Sequence, residues 1–452
     1  EEAARRGFDG VRLTVSVGQK IAQRLYQREG FAEWGKRFCY GGWFYLYQLE
    51  LPLERGICME RMVETTVRGI RAPIIRQGDD IAQIVADSVL EAAQAEGFAL
   101  RDRDVVAVTE AVVARAQGNY ATTDQIGADV RAKFGDHTVG VIFPILSRNR
   151  FAMCLKGIAR AMDEVVILFS YPNDEVGNPL MVRSAYLKNR YSGVYDFQEA
   201  DFVKTFGSPV HPFTGVNYLD FYREVIESEG AKATFLFSND CRYIASFCDQ
   251  VLCCDIHTRN ETRDVLQAMG KTVFTLADVM SAPVNGSGYH DKYGMLGSNK
   301  ATEEKLKLFP RNCQPVVDGI QARIAKERGL HVEVMVYGDG AFKDPVGGIW
   351  ELADPVVSPA YTAGLAGKPN ELKLKFLADN DFADLSGEAL QEAIRQEIKA
   401  KNADLVGDMS SEGTTPRQYT DLLGSLCDLT SGSGDKGTPF IVIQNYFTNY
   451  AE

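Results

Sequence analysis

A short acidic turn follows an apolar run in the last third of the sequence. Val334–Tyr337 stops at Gly338-Asp339-Gly340, and a second aspartate, Asp344, comes five residues after the first. Carboxylates suit Mg²⁺ and Mn²⁺, and glycine neighbours let the backbone approach a phosphate closely. A divalent metal at Asp339 and Asp344, beside a phosphate, is therefore one interpretation of this turn. An acidic turn that only joins two strands is the alternative interpretation, and the pattern alone favours it.

Two other stretches carry groups that could hold phosphates. The first offers a tight turn with hydroxyl, amide and ammonium groups: Gly294, Ser298, Asn299 and Lys300. The second is the glycine-rich stretch 431–439, which contains Gly434 and Asp435. Successive backbone amides in such loops can cradle a phosphate. A surface loop in the first case and a mobile hairpin loop in the second are the alternatives.

The composition limits the classes of protein to consider. The chain has 452 residues, enough for two or three domains, and a net charge of -12. An acidic chain is not typical of nucleic-acid binding, which requires a basic patch. No apolar run has the length of a membrane span, and the first residues do not form a signal peptide. Nine scattered cysteines are typical of reduced thiols, so we expect a cytoplasmic protein without nucleic-acid or membrane partners.

The elements that must position these groups begin after residue 60. A strand-like start leads to a turn at Gln77-Gly78 and then to an amphipathic helix with Asp79 and Asp80 in its first turn. Val105–Val108 is predicted to be a buried strand of a sheet that is covered on both faces. The stretch 110–118 is expected to continue that strand towards a glycine.

The middle of the chain, about 135–285, has a pattern of its own. Four apolar strands each end in a polar loop that opens a helix, which predicts an α/β layer with ligand groups at the strand ends. Polar clusters at 147–150 and 173–175 could lie on one rim of that layer, although solvated loops are the simpler interpretation. A nearby group matches no standard zinc spacing, and packing is favoured over metal binding for it: Cys248, Cys253, Cys254 and His257.

Several motifs together carry a family resemblance. "APIIRQGDDIAQIVADSV" followed by "RDRDVVAVTEAVVARAQG" resembles the opening of the coenzyme F-420 (deazaflavin) γ-glutamyl ligases, with Arg115-Ala116-Gln117-Gly118 in place of Lys-Ala-Glu-Gly. "YGMLGSNK" resembles the Gly-Ile-Asp-x-Ser-Asn segment of that family, and residues 419–445 resemble its last helix, turn and strand. Residues 334–344 stand where the family has Ile-Thr-Asp-Thr-x-Gly-Arg. Residues 135–285 are an insertion relative to the short members.

The resemblance implies an activity and a set of site residues. The family uses GTP and Mg²⁺ or Mn²⁺ to join glutamate to a carboxylate through an acyl phosphate, and a homodimer is expected. Asp339 and Arg115 would be catalytic, and Asp339 and Asp344 would bind the metal. The nucleotide-binding residues would be Pro73, Ile74, Arg115, Gly118, Ser298, Asn299, Lys300, Gly434 and Asp435. Leu296 replaces a metal-binding aspartate, so a nucleotide- or ligand-binding protein without turnover is the alternative.

The first 53 residues resemble the C-terminal part of a GNAT acetyltransferase. The resemblance rests on Ala22, Leu25-Tyr26 and Glu29-Gly30-Phe31. We expect a remnant or truncated fusion partner, because the pyrophosphate loop of that family lies upstream of anything present; a bifunctional acetyltransferase–ligase is the alternative.

The predicted architecture of the whole chain is of the α+β or α/β class, with mixed sheets and covering helices. It has a βαβ-like tail at 1–53 and a ligase-like domain at 60–452 that contains the insertion.

Overall fold

The computed structural model describes the chain in two compact units. It covers residues 10–16, 18–28, 31–39, 42–50, 63–189, 193, 195–212, 214–338, 342–343, 350–351, 356–411, 417–431 and 434–451. The smaller unit combines residues 1–63, 370–414 and 449–452, and the larger unit combines residues 64–369 and 415–448. Along the described residues, no helix is both long and apolar enough to cross a membrane.

The smaller unit begins with a three-stranded antiparallel sheet. Its elements are β1 (Gly10–Ser16), α1 (Lys20–Arg28), β2 (Ala32–Cys39) and β3 (Gly42–Glu50). The central strand is β3, which pairs with both β1 and β2. The strand, helix and strand of the predicted βαβ-like tail are present, and a further strand makes the sheet antiparallel throughout. The likeness to an acetyltransferase stays a prediction.

The larger unit opens with two strands of its core sheet and with the elements around them. They are β4 (Thr66–Ile70), α2 (Ile81–Ala95), β5 (Val105–Thr109), α3 (Glu110–Gln117), β6 (Tyr120–Thr122) and α4 (Thr123–Phe134). Asp80, predicted to lie in the first turn of α2, is the residue just before it, and its side chain caps the helix by accepting from Gln83 N at 3.1 Å. On the inner face of α2, Ile81, Val85 and Val89 are buried.

The inserted region follows as an alternation of strands and helices. Its elements are β7 (Thr138–Ile142), α5 (Phe151–Ala159), β8 (Glu164–Phe169), α6 (Arg183–Asn189), β9 (Phe197–Gln198), α7 (Glu199–Phe206), α8 (Tyr218–Ser228), β10 (Lys232–Phe237), β11 (Gln250–Cys253), α9 (Arg259–Ala268) and β12 (Thr272–Thr275). A 3-10 turn, Cys241–Ser246, precedes β11. The strands form one sheet in the order β12-β11-β7-β8-β10-β9, parallel except for β9. The predicted α/β layer is confirmed.

The last part of the chain returns to the core sheet. Its elements are β13 (Asn299–Thr302), β14 (Lys305–Lys307), α10 (Gln314–Arg328), β15 (Glu333–Tyr337), β16 (Phe342–Lys343), β17 (Trp350–Glu351), β18 (Ala360–Tyr361), α11 (Leu374–Asp379), α12 (Gly387–Ala400), α13 (Tyr419–Thr430) and β19 (Phe440–Gln444). The helices α11 and α12 belong to the smaller unit. In the larger unit, β14 pairs with β13 and with β6, which forms a small antiparallel sheet.

The core sheet has the order β18-β15-β5-β19-β4, and its central strands are buried on both faces. On one face, Val106, Val334 and Val442 pack among side chains of α2 and α10. On the other face, Met335 and Ile441 pack with residues of α13. Burial on both faces explains the unbroken apolar runs in these strands, so the prediction for Val105–Val108 is confirmed.

The prediction that the stretch 110–118 continues a strand is wrong. Glu110–Gln117 is the helix α3, and it ends at Gly118 with a left-handed φ of 64°. Val113 and Ala116, three residues apart, are both buried, so the apolar positions follow the helical period. A left-handed residue after the last turn is a common helix end, and glycine tolerates it without steric cost.

Candidate functional site

A cavity of about 960 Å³ lies at the carboxyl ends of the parallel strands of the inserted region. We call it the strand-end cavity. Its lining includes the loop after β7, residues 145–151, then Cys254 and Ile256 after β11, and Leu276 after β12. Residues 295–298 and Lys300, from the segment that leads into the small sheet, also line it. Chain segments that are more than a hundred residues apart therefore meet here.

The loop after β7 is held in place by buried groups. The carboxylate of Asp174 accepts a hydrogen bond from Leu146 N at 2.8 Å. The hydroxyl of Tyr222, on α8, accepts from Ser147 N at 3.0 Å and donates to Ile145 O at 3.0 Å. Buried backbone groups need such partners. These bonds fix the backbone from which the next side chains of the cavity project.

The loop after β11 is held by Glu175. Its carboxylate accepts hydrogen bonds from Ile256 N at 2.6 Å, His257 N at 2.9 Å and Thr258 N at 3.0 Å. From the sequence, residues 173–175 were interpreted as a ligand-binding rim or as a solvated loop. Neither interpretation describes the roles of Asp174 and Glu175. Both carboxylates bind backbone amides and thereby position the two loops that line the cavity.

The floor of the strand-end cavity is largely apolar. Its buried side chains are Leu146, Phe151, Cys154, Cys254, Ile256, Leu276, Met295 and Leu296. The Cys154 thiol lies 3.4 Å from the hydroxyl of Ser298, and burial raises the pKa of this thiol to about 11. The thiol is therefore protonated near neutral pH, and it contributes to packing rather than acting as a nucleophile.

The charged groups of the cavity are mostly cationic. Arg148, Arg150 and Lys300 line it, together with the carboxylate of Asp428. Arg148 is exposed. Lys300 is bonded twice: its ammonium donates to Glu303 at 2.5 Å, and its backbone N–H donates to Asn149 O at 2.8 Å. The second bond ties the small sheet to the loop after β7.

The structure brings part of the predicted nucleotide-binding set to this cavity. Ser298 is buried in its wall, and Lys300 lies at its edge. Asn299, between them, opens β13 and pairs with Lys307 of β14. Residues 295–298 and Lys300 therefore belong to the lining of a ligand-sized cavity.

The other predicted nucleotide-binding residues lie elsewhere in the larger unit. Pro73 lines a surface groove beside β4, and Ile74 is 77% exposed. Their loop bonds to two neighbours, through Ala72 N to Gly437 O at 3.1 Å and Gly78 N to Ala116 O at 2.8 Å.

These bonds place the loop of Pro73 and Ile74 beside Gly437, which follows Gly434 and Asp435, and beside the end of α3. Gly118 follows α3, and a Cβ atom there would lie 2.3 Å from the side chain of Gln77. Gly434 and Asp435 are exposed in the loop that reaches Gly437, and Arg115 is exposed on α3. Among the described residues, this second group contributes nothing to the lining of the strand-end cavity.

The predicted metal ligands, Asp339 and Asp344, lie outside the described residues. Within the described part of the chain, no group of three histidine, cysteine or acidic side chains could hold a metal ion. Leu296, where the family sequence has an aspartate, is 2% exposed in the apolar floor. The nearby His290 accepts from Lys292 N at 3.2 Å, and burial lowers its pKa. The described residues alone therefore do not fit a divalent metal.

The cysteine cluster of the inserted region is a packing feature. Cys248, Cys253 and Cys254 are buried free thiols. Burial raises the pKa of Cys248 to about 12 and raises that of Cys254 well above its ordinary value. Metal ligation needs thiolates, and these surroundings favour thiols. The preference for packing over zinc is consistent with this geometry.

Asp255, after β11, is a buried carboxylate with an incomplete set of partners. Its Oδ2 accepts from the hydroxyls of Thr258 at 2.7 Å and Thr262 at 2.9 Å. Its Oδ1 has no hydrogen-bond partner among the residues that the structure describes. Burial raises the pKa of Asp255 from 3.8 to about 6, and the charge of Glu175 adds to the rise.

We expect the free energy of unfolding of Asp255→Asn, relative to that of the wild type, to rise by about 1 kcal/mol as the pH is raised from 5 to 7.5. A raised pKa in the folded state gives stability that is present below the unfolded pKa and lost as pH rises through the folded pKa. Urea unfolding of both proteins at the two pH values measures the change. Asp240→Asn is the control, because the pKa of Asp240 is lowered and its titration lies below this window. Parallel behaviour of the two variants would contradict the assignment.

The arginine of the loop after β7 is the candidate that sequence reasoning undervalued. A solvated loop was the simpler of the two interpretations of the stretch 147–150, yet Arg148 lines the strand-end cavity. The signal was its position: it follows the first strand of a parallel α/β layer, where ligand-binding loops concentrate. A charge run alone does not distinguish this position from an ordinary surface loop.

A comparison with protein families matches most of the chain. The sequence model of a family described as F420-0:Gamma-glutamyl ligase matches residues 69–445. The match includes the inserted region and both groups of predicted nucleotide-binding residues. No curated protein matches the chain.

Proposed function

Because the chain belongs to the F420-0:gamma-glutamyl ligase family, we propose that it is an amide ligase that joins an amino acid such as glutamate to a carboxylate. We further propose that GTP drives the reaction through an acyl phosphate and that Mg²⁺ or Mn²⁺ assists. The observation that carries the proposal is the family match over residues 69–445, which includes the strand-end cavity. A carboxylate is a poor acyl donor, so it must be activated before an amine can attack it.

The described residues support the binding part of this chemistry. Lys300 and Arg148 supply positive charge at the cavity, which favours a carboxylate or phosphate. The floor around Leu296 is buried and apolar, and an acyl phosphate lying against it would gain protection from hydrolysis. Positioning of two reactants in such a site accounts for much of the acceleration in phosphoryl and acyl transfer.

The metal enters the proposal only through Asp339 and Asp344. When bound, Mg²⁺ or Mn²⁺ would neutralise phosphate charge. We expect Asp339→Asn to weaken Mn²⁺ binding in a calorimetric titration, whereas Asp291→Asn, an exposed aspartate beside His290, should bind as the wild type does. Equal affinities in all three proteins would remove Asp339 from the proposal.

We expect GTP turnover to depend on both substrates. The wild type, with Mn²⁺ and glutamate, should release phosphate only when the right acid is present in a panel of deazaflavin and folate-like carboxylates. Lys300→Met should lower this turnover about tenfold or more, because a charged hydrogen bond is worth about 1.5–3 kcal/mol. Lys292→Met, an exposed lysine outside the cavity lining, is the matched control.

A second candidate function follows from Leu296. With this side chain in place of an acidic ligand, the protein could bind a nucleotide or small acid without turning it over. Nucleotide binding without phosphate release, across the whole panel of acids and amines, would favour this second function. The homodimer implied by the resemblance is also part of the proposal, and light scattering after size-exclusion chromatography measures it.

A further inference from the structure

The strand order of the inserted sheet reverses at one point. The chain runs from β7 outward through β8 to β10, then crosses to β11 on the other side of β7 and continues to β12. The reversal lies between β7 and β11, which are parallel neighbours. In open parallel sheets, ligands bind outside the carboxyl ends of the strands at such a switch point.

The strand-end cavity lies at this switch point. The loop after β7 contributes residues 145–151, and the loop after β11 contributes Cys254 and Ile256. Both loops are fixed by carboxylates, the buried Asp174 on the first and the half-buried Glu175 on the second. Preformed cavities with a few fixed polar groups are the usual form of small-molecule sites.

The charge of this cavity is opposite in sign to that of the chain. Its lining has three cationic side chains, Arg148, Arg150 and Lys300, and one carboxylate, Asp428. The chain as a whole has a net charge of -12. A concentration of positive charge in a concave site of an acidic protein raises the local concentration of anions.

The floor beneath these cations suits an organic group rather than a hydrated metal. Leu276, Met295 and Leu296 are each nearly or fully buried in it. Hard divalent cations need oxygen ligands, and apolar side chains supply none. A cavity of about 960 Å³ is large enough for a ligand of nucleotide or flavin size.

We propose that the inserted sheet makes the strand-end cavity a site for an organic anion with a bulky apolar body, held by Arg148 without a divalent metal. The proposal rests on the function proposed above in one respect only, namely that this anion is the acid to be activated. Binding itself does not depend on turnover, so the two proposals fail separately. The apolar body would cover the floor, and the anionic group would lie at the Arg148 edge.

Flavin mononucleotide and riboflavin are matched probes of this site, because they share a ring system and differ in the phosphate. Fluorescence polarisation with the full chain should show flavin mononucleotide binding at least tenfold more tightly than riboflavin. Addition of EDTA should leave the affinity unchanged, and inorganic phosphate alone should compete weakly. No flavin mononucleotide binding up to millimolar concentration, equal binding of the two probes, or a requirement for Mn²⁺ would each overturn the proposal.

Arg148→Gln tests whether Arg148 binds the anionic group of the ligand. Arg148 is exposed, so its replacement should leave the melting temperature unchanged. We expect flavin mononucleotide to bind at least fivefold more weakly, while the affinity for riboflavin stays the same. Arg328→Gln, an exposed arginine at the end of α10, is the matched control and should bind both probes as the wild type does. A uniform loss for both probes, or no loss for either, would show that Arg148 does not contact the anion.

Discussion

Lys307→Met is expected to lower the free energy of unfolding by about 3–5 kcal/mol, because it removes the ammonium group that pairs with the buried carboxylate of Glu110. The ammonium of Lys307, on β14, donates to both carboxylate oxygens of Glu110 at 2.6 and 2.7 Å. The two side chains are only 10% and 5% exposed. The pair joins the start of α3 to the small sheet, which contains Lys300. Its loss should therefore also loosen one wall of the strand-end cavity.

The same substitution at an exposed pair provides the control. Lys232 on β10 bonds Glu164 at 2.7 Å, but its side chain is 71% exposed. Lys232→Met should cost less than about 1 kcal/mol, because water and salt screen exposed pairs. The double variant Glu110→Leu/Lys307→Met should recover most of the loss, since two apolar side chains leave no unpaired charge. Urea unfolding measures all three variants. Equal losses at Lys307 and Lys232 would contradict the role of burial.

Local sequence predicted the elements whose pattern is set by burial on both faces. The strands around Val106 and Val334 have apolar runs, and their neighbours in the core sheet cover both sides. The helix α3 was mispredicted because Val112 and Val113 have β-branched side chains, which favour strands where nothing else decides. Tertiary packing decides here: Val113 is buried, and Gly118 ends the helix against Gln77.

The functional cavity could be predicted only in part, because long-range topology builds it. The turn at Ser298 and Lys300 was predicted to bind a ligand. Nothing local indicates that this turn meets the loop at Arg148, about 150 residues earlier in the chain. The strand order that creates the switch point is likewise set by crossover connections rather than by the sequence of any one strand. The roles of Asp174 and Glu175 were missed for the same reason, since Leu146 N and Ile256 N, which they bind, lie on other loops.

The largest effect of a single methyl group is expected at Gly294. This residue has a left-handed φ of 52°, and a Cβ atom would lie 2.4 to 2.6 Å from the carbonyl oxygens of Val279, Ala277 and Leu276. A flexible side chain could move away from such a contact, but three backbone oxygens cannot do so without moving their chain. Gly294→Ala must therefore push its own segment away from residues 276–279.

That displacement has a direct consequence for the cavity. Met295 N donates to Leu276 O at 3.0 Å, and both residues lie in the cavity floor. We expect Gly294→Ala to lower the free energy of unfolding by about 4 kcal/mol or more, at the upper end for single substitutions. We also expect the affinity for flavin mononucleotide to fall at least tenfold, because the floor loses its shape.

Gly286→Ala separates the contact from the backbone strain. Gly286 also has a left-handed φ, 77°, but a Cβ atom there would have nothing within 4 Å. Its substitution should cost only the left-handed conformation of an alanine, about 1–2 kcal/mol, and should leave flavin mononucleotide binding unchanged. Urea unfolding and fluorescence polarisation on the two variants measure the difference. If both variants lost the same stability, the close approach of residues 276–279 to Gly294 would not be the cause. If Gly294→Ala lost stability but kept full affinity, this turn would support the fold without shaping the strand-end cavity.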